Sequence, residues 1–197
     1  MKKVLIIAIL VLFVLGATLT SQAGSPSRVR FLVHGSKKLD SVLEIKTHFI
    51  PAGNLLGELK PLCYSGVAIW PWKKVVYFEP LLGWNFATDE PILALMYSAT
   101  IPIPNLGAVW SWWDFEYQTR TKDGYIFAQM EFQPCDWFNA GMEMELWGNW
   151  QRGPWNVGMG PNILLRYGTV GLDIAGQYRA HDDVADWELA VRLHLFY

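Results

Sequence analysis

Ionisable and amide side chains recur along this chain at every second residue, a spacing that puts neighbours on one face of an extended strand. Glu44, Lys46 and His48 form one such set, Asp114 and Glu116 a second, Gln129 and Glu131 a third, Glu143 and Glu145 a fourth. Asp173, Gln177 and Arg179 follow, then Glu188, Arg192 and His194, with Glu79 and Arg166 on segments of their own. Carboxylates placed in this way can hold a cation or divide the roles of acid and base. Two histidines, His48 and His194, brought together with Glu44 or Glu188, can titrate near neutrality or hold a metal. The simpler reading of the whole set is a mutually paired network: Asp114, Glu116, Glu131, Glu143 and Glu145 supply negative charge, and Lys46, Arg166, Arg179 and Arg192 answer it. No catalytic residue, metal or cofactor is assigned. Ser65, Ser98 and Ser111 have no histidine at a suggestive spacing, and no G-x-S-x-G, H-E-x-x-H or phosphate loop occurs.

The elements that must position these residues are strands, because the faces opposite the polar ones are apolar with the same period of two. Leu43, Ile45 and Phe49 oppose Glu44, Lys46 and His48; Val76, Phe78, Pro80, Leu82, Trp84 and Phe86 oppose Tyr77, Glu79 and Asn85. Trp113, Phe115 and Tyr117 oppose Asp114, Glu116 and Gln118, and Ile126, Ala128, Met130 and Phe132 oppose Gln129, Glu131 and Gln133. Ala140, Met142, Met144 and Leu146 oppose Glu143, Glu145 and Asn149. From Trp155 to Tyr167 every odd position is apolar, and Leu172, Ile174 and Tyr178 oppose Asp173, Gln177 and Arg179. Residues 62–71 and 92–101 alternate less clearly and count as strands on spacing. Short connections such as ATDEP, TKDG and YGTVG carry turn chemistry. The prediction is an all-β, antiparallel up-and-down barrel of about ten strands, with 8 or 12 as alternatives. Arg28 to Gly35 is either an extra strand or a segment inside the barrel.

Alternation is compatible with an apolar core and a wet outside, or with the reverse. Three features favour the reverse. The periodic segments run from eight to thirteen residues, longer than the usual strand of about five or six and close to the ~9–11 that span hydrocarbon at a tilt. If strands alternate direction, Trp84, Trp147, Trp150, Trp155, Tyr178 and Trp187 fall at one set of ends, and Trp70, Trp72, Trp110, Trp112, Trp113, Trp137, Tyr167 and Tyr197 at the other, as two aromatic belts. The polar faces carry both signs of charge on neighbouring strands, as groups enclosed together require.

The N-terminus adds a location. Lys2 and Lys3, an apolar stretch from Val4 to Ala17 and Ser21-Gln22-Ala23 before Gly24 have the form of a secretory signal peptide, so residues 1–23 are read as a signal and 24–197 as one barrel domain. Removing the signal takes two of the 16 basic residues and none of the 18 acidic ones, so the mature chain is acidic by about four charges and nothing in it asks for nucleic acid. Cys63 and Cys135 should stand at opposite ends of the barrel, too far apart to bridge.

The last residues, ADWELAVRLHLFY, place Leu189, Val191, Leu193, Leu195 and Tyr197 on one face and end on an aromatic ring. This strand resembles the C-terminal signal of bacterial outer-membrane β-barrel proteins, in which Phe is the commoner final residue. The resemblance covers the last strand alone and identifies no subfamily. It implies insertion by the barrel-assembly machinery, residence in the outer membrane of a Gram-negative bacterium, and contact with outer-membrane lipids and lipopolysaccharide, to whose phosphates His181, Asp182 and Asp183 could hold a divalent ion. The function expected is a narrow channel or a structural surface protein. The alternatives are an outer-membrane lipid-modifying enzyme and a secreted lipocalin-like binding barrel. Permeant and oligomeric state are left open.

Overall fold

The computed structural model describes residues 27–52, 61–72, 75–181 and 184–197. The proposed signal at 1–23 and the acidic pair Asp182 and Asp183 lie outside the described residues. Eleven strands follow in order: β1 (Ser27–Lys38), β2 (Leu43–Ala52), β3 (Leu62–Trp72), β4 (Val76–Asn85), β5 (Glu90–Ile103), β6 (Gly107–Gln118), β7 (Asp123–Cys135), β8 (Phe138–Asn149), β9 (Trp155–Tyr167), β10 (Val170–His181) and β11 (Val184–Phe196). Each pairs with its neighbour in sequence, and β1 pairs with β11 to close the sheet into a barrel.

The strand number dictates the seam. Every hairpin reverses the chain, so an eleventh strand runs in the direction of the first, and the closing pair β1–β11 is parallel while the other ten pairs are antiparallel. Arg28 lies opposite Ala190, Arg30 opposite Arg192 and Leu32 opposite His194. Backbone bonds from Ser36 N to Tyr197 O and from Tyr197 N to His34 O, both 2.8 Å, tie the final residue to β1. Residues 28–35, ambiguous in the sequence, are therefore the strand that completes the barrel.

We call the end of the barrel that holds Tyr197 the near end and its opposite the far end. Turns follow the expected chemistry: β9 and β10 are joined by Gly168 and Thr169 alone, and Gly168 sits at φ +58°, a type II′ hairpin with glycine first. Asp89, Asn105 and Lys122 take positive φ in other turns.

The outer surface is greasy. Leu82, Leu93, Leu95, Met130, Met142, Met159, Ile163 and Trp187 are all exposed, and a shallow apolar groove runs over β4–β7 beside Phe78, Leu95 and Trp113. The interior is divided. On β3–β5 its middle is apolar, with Tyr64, Leu81, Ile92, Ala94 and Met96 packed as one cluster, flanked by the buried Glu79 and Ser98 on one side and Asn85 and Glu90 on the other. Around β7–β11 and β1 it is charged and amidic. The aromatic belts need a correction, because Trp70, Trp110, Trp112 and Trp147 point inward and line cavities or face guanidinium groups. Parity places them there: each shares its face with an inward ionisable or amide residue of its own or the neighbouring strand.

Candidate functional site in the barrel interior

Eleven strands enclose more space than side chains alone fill; about eight is the number at which they do. Among the described residues the interior holds a cavity of about 630 Å³ toward the far end and one of about 440 Å³ toward the near end. Between them lies a septum built on Arg192 and Trp112. Arg192 borders the far cavity and Asp173 the near one; they are joined at 2.9 Å, and the Trp112 ring borders both. Arg192 also grips Glu143 with both ends of its guanidinium, at 2.7 and 2.8 Å, and lies over the Phe127 ring at 4.9 Å. Gln129 donates to Asp173 at 3.1 Å, and Gln177 donates to Glu143. A bidentate guanidinium–carboxylate pair is the strongest side-chain clamp available, and here it is fully enclosed.

Toward the far end a second ionic cluster is centred on Glu145, which is completely buried. It accepts bonds from Arg28, from Arg30 at 2.8 Å, from Arg179 at 2.7 Å and from the Tyr125 hydroxyl at 2.6 Å. Glu188 accepts from the Nε of both Arg28 and Arg179, and Arg179 Nη1 donates to Asn156 at 2.8 Å. The Trp147 ring carries guanidinium carbons at 5.1 Å from Arg28 and 4.1 Å from Arg179, so the cations are held by both charge and ring quadrupole. Room for Arg179 comes from Gly158, where a β-carbon would stand 2.7 Å from the guanidinium carbon. Asp114 and Glu116, both buried, stand side by side on β6 against the far cavity.

Toward the near end the chemistry changes to imidazole. His48 Nε2 contacts the Glu79 carboxylate, its Nδ1 lies 2.8 Å from His34 Nδ1, and His34 Nε2 lies 3.0 Å from His194 Nδ1. Four groups on β4, β2, β1 and β11 thus make one continuous chain. The expectation that His48 and His194 meet through Glu44 or Glu188 is replaced. Glu44 pairs with Lys46 at 3.2 Å near the rim, and Glu188 is occupied by Arg28 and Arg179. His48, opposite Tyr64 in register, reaches diagonally across β3 to Glu79 instead, on the side of the next inward position, Gly66. Among the described residues no group of His, Cys, Asp and Glu is arranged to hold a metal ion.

The remaining sequence candidates separate. Glu131 accepts from Asn139 at 2.8 Å and from Asn162, and Arg166 lies over Trp110 at 5.2 Å, with no carboxylate as its ion-pair partner among the described residues. Leu189, Val191, Leu193 and Leu195 occupy alternate positions of β11, with Val191 packed on Val29 across the parallel seam. Both cysteines are free thiols, as their positions at opposite ends require.

Sequence reasoning missed Arg28, Arg30, His34, Tyr125 and Trp147, all of them central to the interior. A signal for the first three was present: Arg28, Arg30 and His34 fall on even positions, the same period of two that marked the other strands. No family model and no curated protein matches the chain.

Proposed function

We propose that this chain is an integral outer-membrane β-barrel that serves as a narrow passage closed at rest by its septum. The observation that carries the reading is the inversion of polarity. Large apolar side chains such as Leu82, Met130 and Met159 stand exposed on the outer wall, while Glu143, Glu145 and Arg192 are buried inside. Water outside such a wall is costly, since roughly 25 cal/mol is lost for each Å² of apolar surface left wet, whereas acyl chains cost nothing there. The signal at 1–23 and the C-terminal aromatic strand support the same location. Two cavities end to end, parted by one tryptophan and one ion-paired arginine, support a passage over a solid structural barrel.

The test is conductance in a planar bilayer. The wild-type barrel is expected to give small, infrequent steps, and Trp112→Ala, which removes the ring that borders both cavities, larger and more frequent ones. Silence from both the wild type and a refolded Trp112→Ala barrel would overturn the passage and leave a structural barrel.

A further inference from the structure

The imidazole chain does something the ionic clusters cannot. An Arg–carboxylate pair has one arrangement of donors and acceptors, because guanidinium is never an acceptor. A neutral imidazole has one N–H and one bare nitrogen, and the two can exchange roles. In this barrel three imidazoles are linked nitrogen to nitrogen and end on a carboxylate. The His34 and His194 rings lie within 10° of coplanar with centroids 5.2 Å apart, so the 3.0 Å contact joins them edge to edge, along the lone-pair direction. Phe196 at 4.9 Å covers one face of His34, and Trp112 approaches it at 6.3 Å. Glu79 is almost wholly buried and lines neither cavity, whereas all three imidazoles border the near one; both ring nitrogens of His34 and His48 are engaged within the chain, which leaves His194 Nε2 as its terminal nitrogen.

We infer that His194, His34, His48 and Glu79 form a proton relay through which the buried Glu79 carboxyl exchanges its proton with the near cavity. The hydrogen bonds allow two complete arrangements. With Glu79 ionised, His48 donates Nε2–H to it and accepts at Nδ1. His34 then donates Nδ1–H and accepts at Nε2, and His194 donates Nδ1–H. One proton added from cavity water to His194 Nε2 sends the Nδ1 proton of His194 to His34 Nε2. The Nδ1 proton of His34 passes to His48 Nδ1, and the Nε2 proton of His48 passes to Glu79. Each nitrogen that loses a proton becomes the acceptor of the reversed bond. The final state has one more proton than the first, three neutral imidazoles, a protonated carboxyl and every link intact. No imidazolium persists, which matters because Lys46, Arg166 and Arg192 on β2, β9 and β11 surround the chain with positive charge.

Most of the other groups facing the chain are fixed in other bonds. Glu44 pairs with Lys46, Asp173 with Arg192 and Glu143 with Arg192. Glu131 is held by two asparagines and Arg30 by Glu145. Tyr64 on β3, Tyr77 on β4 and Ser98 on β5 are hydroxyls, and Asp114 on β6 stands level with Glu79 through Met96. The inference does not depend on where the barrel resides.

The experiment is a pH titration of the full chain folded in detergent micelles, with ring nitrogens followed by ¹⁵N NMR. At pH 8 the wild type should show His34 and His194 as Nδ1–H tautomers, the form free histidine disfavours, and His48 as Nε2–H. As the pH is lowered all three should invert together at one midpoint with uptake of one proton. Three separate midpoints, uptake of none or of more than one, or ordinary Nε2–H tautomers at His34 and His194 would each overturn it. His34→Gln can bridge its neighbours but cannot move a proton, so His194 should then titrate alone; a joint inversion surviving in that variant also overturns the relay. Glu79→Gln, which has no carboxyl to fill, should abolish the inversion and serves as the second variant if His34→Gln does not fold.

Discussion

Arg192 shows what a single residue does in an enclosed lumen. It satisfies two carboxylates, Glu143 and Asp173, and its own exposure is 3 %. Removing one member of such a set strands the others without compensation, so Arg192→Met is expected to cost about 3–5 kcal/mol, measured by urea unfolding in lipid vesicles. Adding Glu143→Gln and Asp173→Asn should restore most of that loss, since the penalty is the unpaired charge and not the missing attraction. Gly158 makes a complementary case in which space is the variable. A side chain there collides with the Arg179 guanidinium, so Gly158→Leu should destabilise by about 1–3 kcal/mol in the same assay. Unchanged stability would mean that Arg179 has another place to go.

At the scale of the element, the two faces of a strand should tolerate charge unequally. On β11, Leu193 shares the outward face with Trp187 and is three residues from the strand's end, and Leu193→Arg is expected to cost about 2–4 kcal/mol if that position lies near mid-bilayer. On β7, Gln129 faces the lumen, and Gln129→Arg, with Asp173 within reach, should be far milder. Equal effects in refolding titrations would contradict the assignment of faces. The same logic explains how much of the fold was legible. β7, β8 and β9 were plain because their inward positions are polar and their outward ones apolar. β3 and β5 were faint because their inward positions are Tyr64, Gly66, Ala68, Ile92, Ala94 and Met96, which give no contrast with an apolar exterior. β1 was ambiguous because Leu32 interrupts its polar face and because an eleventh strand has to pair in parallel, which no local pattern announces. The site suffered accordingly: His48, Glu79 and His194 were visible one by one, but the residue that joins them sits on the strand the sequence left undecided.

For the molecule as a whole, the decisive quantity is the sign of the polarity gradient from axis to surface. A soluble barrel of this size would bury Leu82, Met130, Met159 and Ile163 and expose its carboxylates, whereas here Glu79, Glu131, Glu143, Glu145 and Asp173 are each no more than 2 % exposed. Such a molecule has a good solvent only where the surroundings are apolar around the wall and aqueous at the two ends. With lipid around the wall, as proposed, the chain is expected to leave a membrane only with detergent. It should then run on a gel as a compact band when unheated and as a slower, extended band after boiling, because the continuous hydrogen-bonded closure of eleven strands leaves no edge at which unfolding starts cheaply. Arg28→Ala combined with Arg30→Ala removes two of the three cations on Glu145 and loosens β1 at the parallel seam, so that double variant should lose the compact band at a lower temperature than wild type. A monomer that stays folded in plain buffer, with the outer leucines and methionines open to water, would reverse the gradient and end the membrane reading while leaving the eleven-stranded topology untouched.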